Sequence, residues 1–161
     1  MQDDKYEIRL ARSHGDLSKI ASIRRDVFVR EQKILPSEEF DYFDTLEAVD
    51  KGIVVQLMVV ASGKGIATGR LILQKDTSED SNFAHIGRMA VRRNFRRKGI
   101  GSALMSKFHK IARDLNFNGI LLSAQLHAIF FYLDLGYKER GDVYEDVGIA
   151  HQEMVYEFSE P

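Results

Sequence analysis

The chain has no cysteine among its 161 residues, which excludes disulfides, thiolate metal sites and a cysteine nucleophile. It has no apolar run approaching the roughly 20 residues that span a bilayer. Its first residues, Met1-Gln2-Asp3-Asp4, lack the basic and apolar regions of a signal peptide, so a cytoplasmic location is expected. It also lacks an excess of charge of either sign. A net charge of -1 argues against a dedicated nucleic-acid binder, whose domain would be clearly basic. No internal repeat, linker or low-complexity segment interrupts it.

What is present reads as an ordinary globular protein, 44% hydrophobic and 29% charged, and the length suits one domain over residues 1–161. Its charge is segregated into two poles. Arg92, Arg93, Arg96, Arg97 and Lys98 crowd one turn, while Glu38, Glu39, Asp41, Asp44, Glu47 and Asp50 crowd another region.

Periodicity predicts a strand over Tyr6–Leu10 and a helix over Asp16–Glu31, in which Leu17, Ile20, Ile23, Val27 and Phe28 recur at helical spacing and Asp16 is the expected N-cap. An acidic loop over Gln32–Leu46 follows, with room for a short helix after Pro36. The β-rich runs Ile53–Ala61 and Ile66–Leu73 flank Ser62-Gly63-Lys64-Gly65 as a hairpin. After a polar loop over Lys75–Asn82 come a strand over Ala84–Val91, a basic turn, a helix to Leu115 and a strand over Ile120–Gln125. Strand, helix, strand implies a parallel pair with a right-handed crossover. A short helix over Ala128–Leu135, ended by Gly136, and two final β runs, Tyr137–Tyr144 and Gln152–Phe158, complete an α+β pattern with a mixed sheet.

The basic turn is the most specific local signal. Arg96-Arg97-Lys98-Gly99-Ile100-Gly101 leaves an apolar strand and opens a helix, where free N–H groups and the macrodipole favour an anion. A dinucleotide fingerprint needs a third glycine, and Leu104 stands at that position; a P-loop needs Gly-Lys-Ser/Thr, which does not follow. Arg-x-x-Gly-x-Gly remains.

That signature resembles the cofactor motif of the GNAT superfamily of acyl-CoA-dependent N-acetyltransferases, Gln/Arg-x-x-Gly-x-Gly/Ala. Downstream, Phe131-Tyr132-Leu133-Asp134-Leu135-Gly136-Tyr137 is similar to the family's helix carrying Phe-Tyr followed by Gly-Phe/Tyr. A narrower likeness is to the ElaA-like and YjcF-like bacterial branch. It rests on residues 24–32 (RRDVFVREQ), Ile86-Gly87-Arg88, Ala124-Gln125-Leu126-His127 and residues 148–154 (GIAHQEM), with Ala150 where the branch usually has proline.

The resemblance implies a mixed sheet with antiparallel N-terminal strands, a central parallel pair and helices on both faces. It implies acetyl-CoA as donor. Backbone groups from Arg97 to Gly101, with Arg96, Lys98, Ile100 and Ser102 beside them, would take the pyrophosphate, and the main chain of Met89, Ala90 and Val91 the pantetheine arm. Arg92 could add charge. Tyr132 resembles the family's general acid, and a phenol near pKa 10 is a donor at neutral pH. His85, in Phe83-Ala84-His85-Ile86, is the first candidate base, because it stands where histone-modifying members carry a glutamate; a lysine-like amine must lose a proton before it can attack. Glu31, Glu39, Asp41, Asp44, His127 and His151 compete as bases or acceptor-binding groups.

Direct transfer in a ternary complex is implied, with an oxyanion contact from a backbone N–H near Met89 and no metal. Arg88 either pairs with an acid or, if a bulge re-aims it, anchors a substrate carboxylate. The acceptor expected is a primary amine of a small molecule or peptide, and a homodimer is compatible with the resemblance. A non-catalytic acyl-CoA-binding or sensing module is the rival reading, and nucleic-acid binding through Arg92–Lys98 a third, which predicts steep salt dependence and no CoA affinity.

Overall fold

The computed structural model describes residues 5–73, 75, 80 and 82–159. The polar loop expected at Lys75–Asn82 therefore lies largely outside the described residues. Seven strands form one sheet: β1 (Glu7–Leu10), β2 (Val54–Ala61), β3 (Lys64–Ile72), β4 (Phe83–Val91), β5 (Gly119–Gln125), β6 (Lys138–Asp146) and β7 (Ile149–Glu157), in the order β1-β2-β3-β4-β5-β7-β6. Every neighbouring pair is antiparallel except β4 and β5, which run parallel and are joined by the crossover helix α4 (Ile100–Asp114). This is the α+β mixed sheet that the order of elements predicted.

Helices cover both faces, so the central strands read as continuous apolar runs rather than alternating ones. In β2, Leu57 and Val59 join Leu104, Met105, Phe108 and Ala112 of α4 in one core. Met58 and Val60 point the other way, onto Ile20, Ile23, Val27 and Phe28. The edge strand β6 is exposed along almost its whole length and rich in charge, which discourages pairing with another chain. Among the described residues no helix is long and apolar enough to cross a membrane.

Four local expectations are corrected. The first helix, α1 (His14–Arg24), is capped by Ser13, whose Oγ accepts from the Asp16 N–H at 3.1 Å, so Asp16 sits in the first turn rather than at the cap. The helix does not continue as α to Glu31: residues Arg25–Glu31 widen to a π-helix, which shifts the side chains that follow. The acidic loop holds three short helical turns, α2 (Pro36–Glu39), a 3-10 turn (Tyr42–Asp44) and α3 (Leu46–Asp50); Pro36 starts the first, Asp41 caps the second and Thr45 caps the third. The two hairpins turn tightly at Ser62-Gly63 and Val147-Gly148, all four at positive φ, so strands β3, β6 and β7 are longer than expected.

The feature that positions the site is a bulge in β4. Arg88 and Met89 stand opposite the single residue Gly69 of β3, and Arg88 adopts a left-handed conformation at φ 54°. Gly69 must be glycine here, because a Cβ would lie 2.5 Å from Met89 Sδ and 2.8 Å from the Phe108 ring. On the other side, β4 pairs with β5 only from Phe83–Gly119 to Ile86–Leu122. Gly87–Val91 thus have no strand partner toward β5, and the sheet opens.

Candidate active site

The opening between β4 and β5 is a cleft of about 620 Å³. Strand side chains alternate between faces. Ile86, Leu122 and Ala124 belong to the α4 side of the sheet, and His85, Gly87, Leu121, Ser123 and Gln125 to the α1 side, yet all of them line the cleft. A single cavity can touch both faces only because the strands part.

Tyr132 reaches the cleft from the short helix α5 (Ile129–Asp134) on the α4 side. Its ring is buried edge-on against Phe131 (centroids 5.0 Å apart) and Tyr137 (5.8 Å), while Phe130 points to solvent. The hydroxyl makes no hydrogen bond among the described residues, and burial pushes its pKa up to about 12. It is therefore a phenol that keeps its proton across the neutral range and has no partner among the described residues to give it to.

Three expected histidines line the same cleft. His85 is exposed in mid-strand, between Ile72 of β3 and Leu121 of β5. His127 is exposed on the 3-10 turn after β5. His151 is buried, stacked on the Tyr144 ring at 5.9 Å, and its Nδ1–H donates to the Ile149 carbonyl at 2.7 Å. A carbonyl only accepts, so the proton is on Nδ1, and the lone pair of the neutral ring is on Nε2.

The acidic pole is not free. Glu39, Asp41 and Asp44 alternate with Arg24, Arg70 and Arg88 in a closed ring in which each charge touches two of opposite sign. Arg24 Nε donates to Glu39 Oε1 at 2.8 Å and its Nη groups hold Asp44; Arg70 grips Asp41 with two bonds of 2.7 and 2.8 Å. Burial raises the Glu39 pKa despite Arg24 and Arg88 beside it. For Asp44 burial acts the same way, but the hydrogen bond and charge of Arg24 win and the pKa is lowered. Glu39 lines the cleft; Asp41 does not. Arg88 pairs with acids, one of its two expected alternatives, and the bulge at the same time aims it into the cleft.

The basic turn lies at the start of α4. Gly99 is its N-cap at φ 79°, with no side-chain cap and nothing within 4 Å of where a Cβ would stand. Among the described residues no side chain caps the first-turn N–H groups of Ile100, Gly101 and Ser102, which can thus hold a phosphate anion. Gly101 answers a packing need instead, since a Cβ there would meet Phe131 at 3.3 Å. Ile100 and Ala90 face the two cores, and Val91 packs against the α4 core.

The arginines divide. Arg96 donates to the Val91 carbonyl (2.7 Å) and pairs with Glu31 (2.9 Å), and Arg92 pairs with Asp26 and donates to the Gly65 carbonyl (2.8 Å). These two tie the π-helix to the turn. Glu31 therefore sits in a separate recess with Arg92 and Arg93, away from the main cleft. Arg97 is exposed at φ 62° and makes no ion pair among the described residues, and Lys98 lies 5.7 Å from the Phe95 ring centroid.

Several cleft residues were not singled out in the sequence. Gln32 and Gln125 bridge it, Nε2 of Gln125 donating to Oε1 of Gln32 at 2.7 Å, and Ser123 bonds the Tyr144 hydroxyl. Arg24 and Arg70 carried a readable signal: each is a charge inside an apolar pattern, and a buried charge needs a partner.

A family model described as an acetyltransferase (GNAT) domain matches residues 28–158. The uncharacterized N-acetyltransferase YjcF of Bacillus subtilis is 29% identical over 147 residues, covering 91% of this chain and 96% of that protein. Escherichia coli ElaA has a similar structure, with a TM-score of 0.78 and 26% identity over 95% of this chain and 100% of the other. An acyl-CoA N-acyltransferase from Pseudomonas aeruginosa gives a TM-score of 0.76 at 27% identity, over 94% and 97%.

Proposed function

This chain belongs to the GNAT acetyltransferase family, and on that premise we propose that it moves an acetyl group from acetyl-CoA to a primary amine of a small molecule or peptide. Transfer is direct, in a ternary complex, within one unit spanning residues 1–161. The observation that carries this reading is the buried Tyr132 phenol, unbonded and proton-holding, in the cleft where β4 and β5 part. A module that only bound acyl-CoA would have little use for it.

The donor supplies a thioester whose carbonyl carbon accepts the amine. The N-terminal amides of α4 and the open conformation at Gly99 receive the pyrophosphate, helped by Arg97 and Lys98. The unpaired edge of β4 from Gly87 to Val91 offers main-chain groups to the pantetheine arm, and an N–H near Met89 to the thioester oxygen. His85 takes a proton from the acceptor ammonium; His151, with its lone pair on Nε2, is the second candidate. The amine nitrogen bonds to the acetyl carbon, the carbon–sulfur bond breaks and the departing thiolate takes the Tyr132 proton; the nitrogen's second proton, released as the amide forms, goes to solvent, from which Tyr132 regains a proton before the next turnover.

Acetyl-CoA should raise the melting temperature, since a ligand at 100 times its Kd stabilises by about 2.7 kcal/mol. No shift at millimolar acetyl-CoA sinks the reading. Tyr132→Phe should lower kcat by roughly 10²–10⁴-fold with acetyl-CoA affinity nearly intact. Equal losses in both would make Tyr132 a packing residue. An unchanged pH–rate profile in His85→Gln would pass the role of base to His151.

A further inference from the structure

Arg88 differs from the other two arginines of the charged ring. Arg24 and Arg70 are almost fully buried and use both Nη groups against carboxylates. Arg88 is 30% exposed, makes its one hydrogen bond among the described residues through Nε to the Glu39 carbonyl at 3.2 Å, and pairs with the Glu39 carboxylate at 3.3 Å and with Asp41 at 3.8 Å. Among the described residues neither of its Nη groups is hydrogen-bonded. It is held in this pose by a left-handed backbone, a strain that persists only where the surroundings enforce it. Its neighbour Gly87 leaves the cleft wall bare: a Cβ there would meet nothing within 4 Å, and its φ does not require glycine. The same cleft exposes the carboxylates of Glu38 and Asp146, which form no ion pair among the described residues.

We propose that the acceptor is a zwitterion, a small amine with a carboxylate close to its amino group as in an α-amino acid, whose carboxylate is held by the Arg88 guanidinium beside Gly87. The inference rests on the acetyl-transfer reading and narrows its acceptor. A planar guanidinium whose Nη groups make no hydrogen bond among the described residues, and touch Asp41 only at 3.8 Å, suits two parallel hydrogen bonds to a carboxylate. The unpaired Glu38 and Asp146 favour the approach of the ammonium end. A polyamine would match those acids but set a like charge against Arg88 and leave its donors unused. Because Arg88 stems from the bulge that carries Met89, an anion on it is tethered to the wall that would hold the thioester.

The test uses the full chain with acetyl-CoA and reads thiol release from the twenty common amino acids, their carboxamides, their decarboxylated amines and spermidine. At least one free amino acid should exceed its own carboxamide and decarboxylated amine in kcat/KM by roughly 10–100-fold, the worth of a charged bidentate contact. Arg88→Lys should raise KM for that acid by a similar factor, with acetyl-CoA affinity unchanged. Gly87→Ala, which leaves the ring untouched, should also raise KM by crowding the same wall. Spermidine, amides or decarboxylated amines serving as well as any acid would overturn the proposal, as would no turnover of any acid while acetyl-CoA binds. Failure of acetyl-CoA itself to bind is a different result and overturns the transferase reading with it.

Discussion

The two sides of the sheet behind the cleft walls solve one problem in opposite ways. On the α1 side six ionisable groups, of which Glu39, Arg70 and Arg88 line the cleft, are matched charge for charge: Arg24, Arg70 and Arg88 alternate with Glu39, Asp41 and Asp44. On the α4 side burial holds one histidine and two phenols neutral. His109, in the core face of α4, bonds the Tyr137 hydroxyl at 2.6 Å and packs edge-on against Tyr137, Tyr156 and Phe158. Burial, with Arg113 nearby, pushes its pKa down to about 4, and burial pushes the phenols of Tyr132 and Tyr137 upward. One wall thus offers fixed charge and the other offers held protons, which suits recognition on the first and proton donation on the second.

The largest expected effect breaks the charged wall. Arg24 is 1% exposed and touches both Glu39 and Asp44, so Arg24→Ala should cost about 3–5 kcal/mol, as removal of one member of a buried ion pair does. Most of that cost is the carboxylates left behind. Adding Glu39→Gln should therefore cost less than the two single changes summed, which urea unfolding of the four-member cycle measures. A loss below about 1 kcal/mol in Arg24→Ala would mean that the ring is a wet surface cluster after all.

The aromatic wall shows itself through pH. The native His109 stays neutral where the unfolded chain, at an ordinary pKa of 6.5, takes a proton, so stability falls as pH drops from 6.5 to about 4. The loss attributable to this group is about 2 kcal/mol at pH 5. Asp44 behaves in a different window: its native pKa lies below the ordinary 3.8, so its contribution is present above that value and is lost as pH falls through the lower one. Glu39, raised by burial, opposes that loss, because the native state takes its proton first. Urea midpoints at pH 7 and pH 5 should thus differ strongly in the parent and weakly in His109→Phe. Equal slopes in the two would place the titration elsewhere.

How far the sequence could carry these walls depends on the range of the interactions. The strand–turn–helix around Gly99, the hairpins and the crossover between β4 and β5 are written in local spacing, and periodicity reads them. A π-helix over Arg25–Glu31 differs from an α-helix by under one residue per turn, too little to register across seven positions. The left-handed Arg88 carries no glycine to announce it, so residue types do not show the opening of the sheet; the resemblance implied only that the main chain of Met89, Ala90 and Val91 takes the pantetheine arm. The charged ring joins Arg24, Arg70 and Arg88 to the acidic loop; the sequence shows the acids and flags each arginine as a charge in an apolar pattern, while which acid each one meets is settled only by folding. His109 is hidden for a simpler reason, since it falls in the apolar stripe of Leu104, Met105, Phe108 and Ala112.

The smallest expected effect isolates burial as the cause of the ring's weight. Arg96 and Glu31 repeat the ring's chemistry, an arginine on a carboxylate at 2.9 Å, but their side chains are 38% and 25% exposed where those of Arg24 and Glu39 are 1% and 4%. Solvent screens such a pair, and Arg96→Ala should change stability by only about 0–1 kcal/mol, less still at high salt. Its guanidinium is already committed to Glu31 and the Val91 carbonyl, so acetyl-CoA affinity by titration calorimetry should fall less than in Arg97→Ala, where the charge is uncommitted. If Arg96→Ala destabilised as much as Arg24→Ala, contact geometry and not removal from water would set the strength of these pairs, and the two walls would differ in chemistry alone.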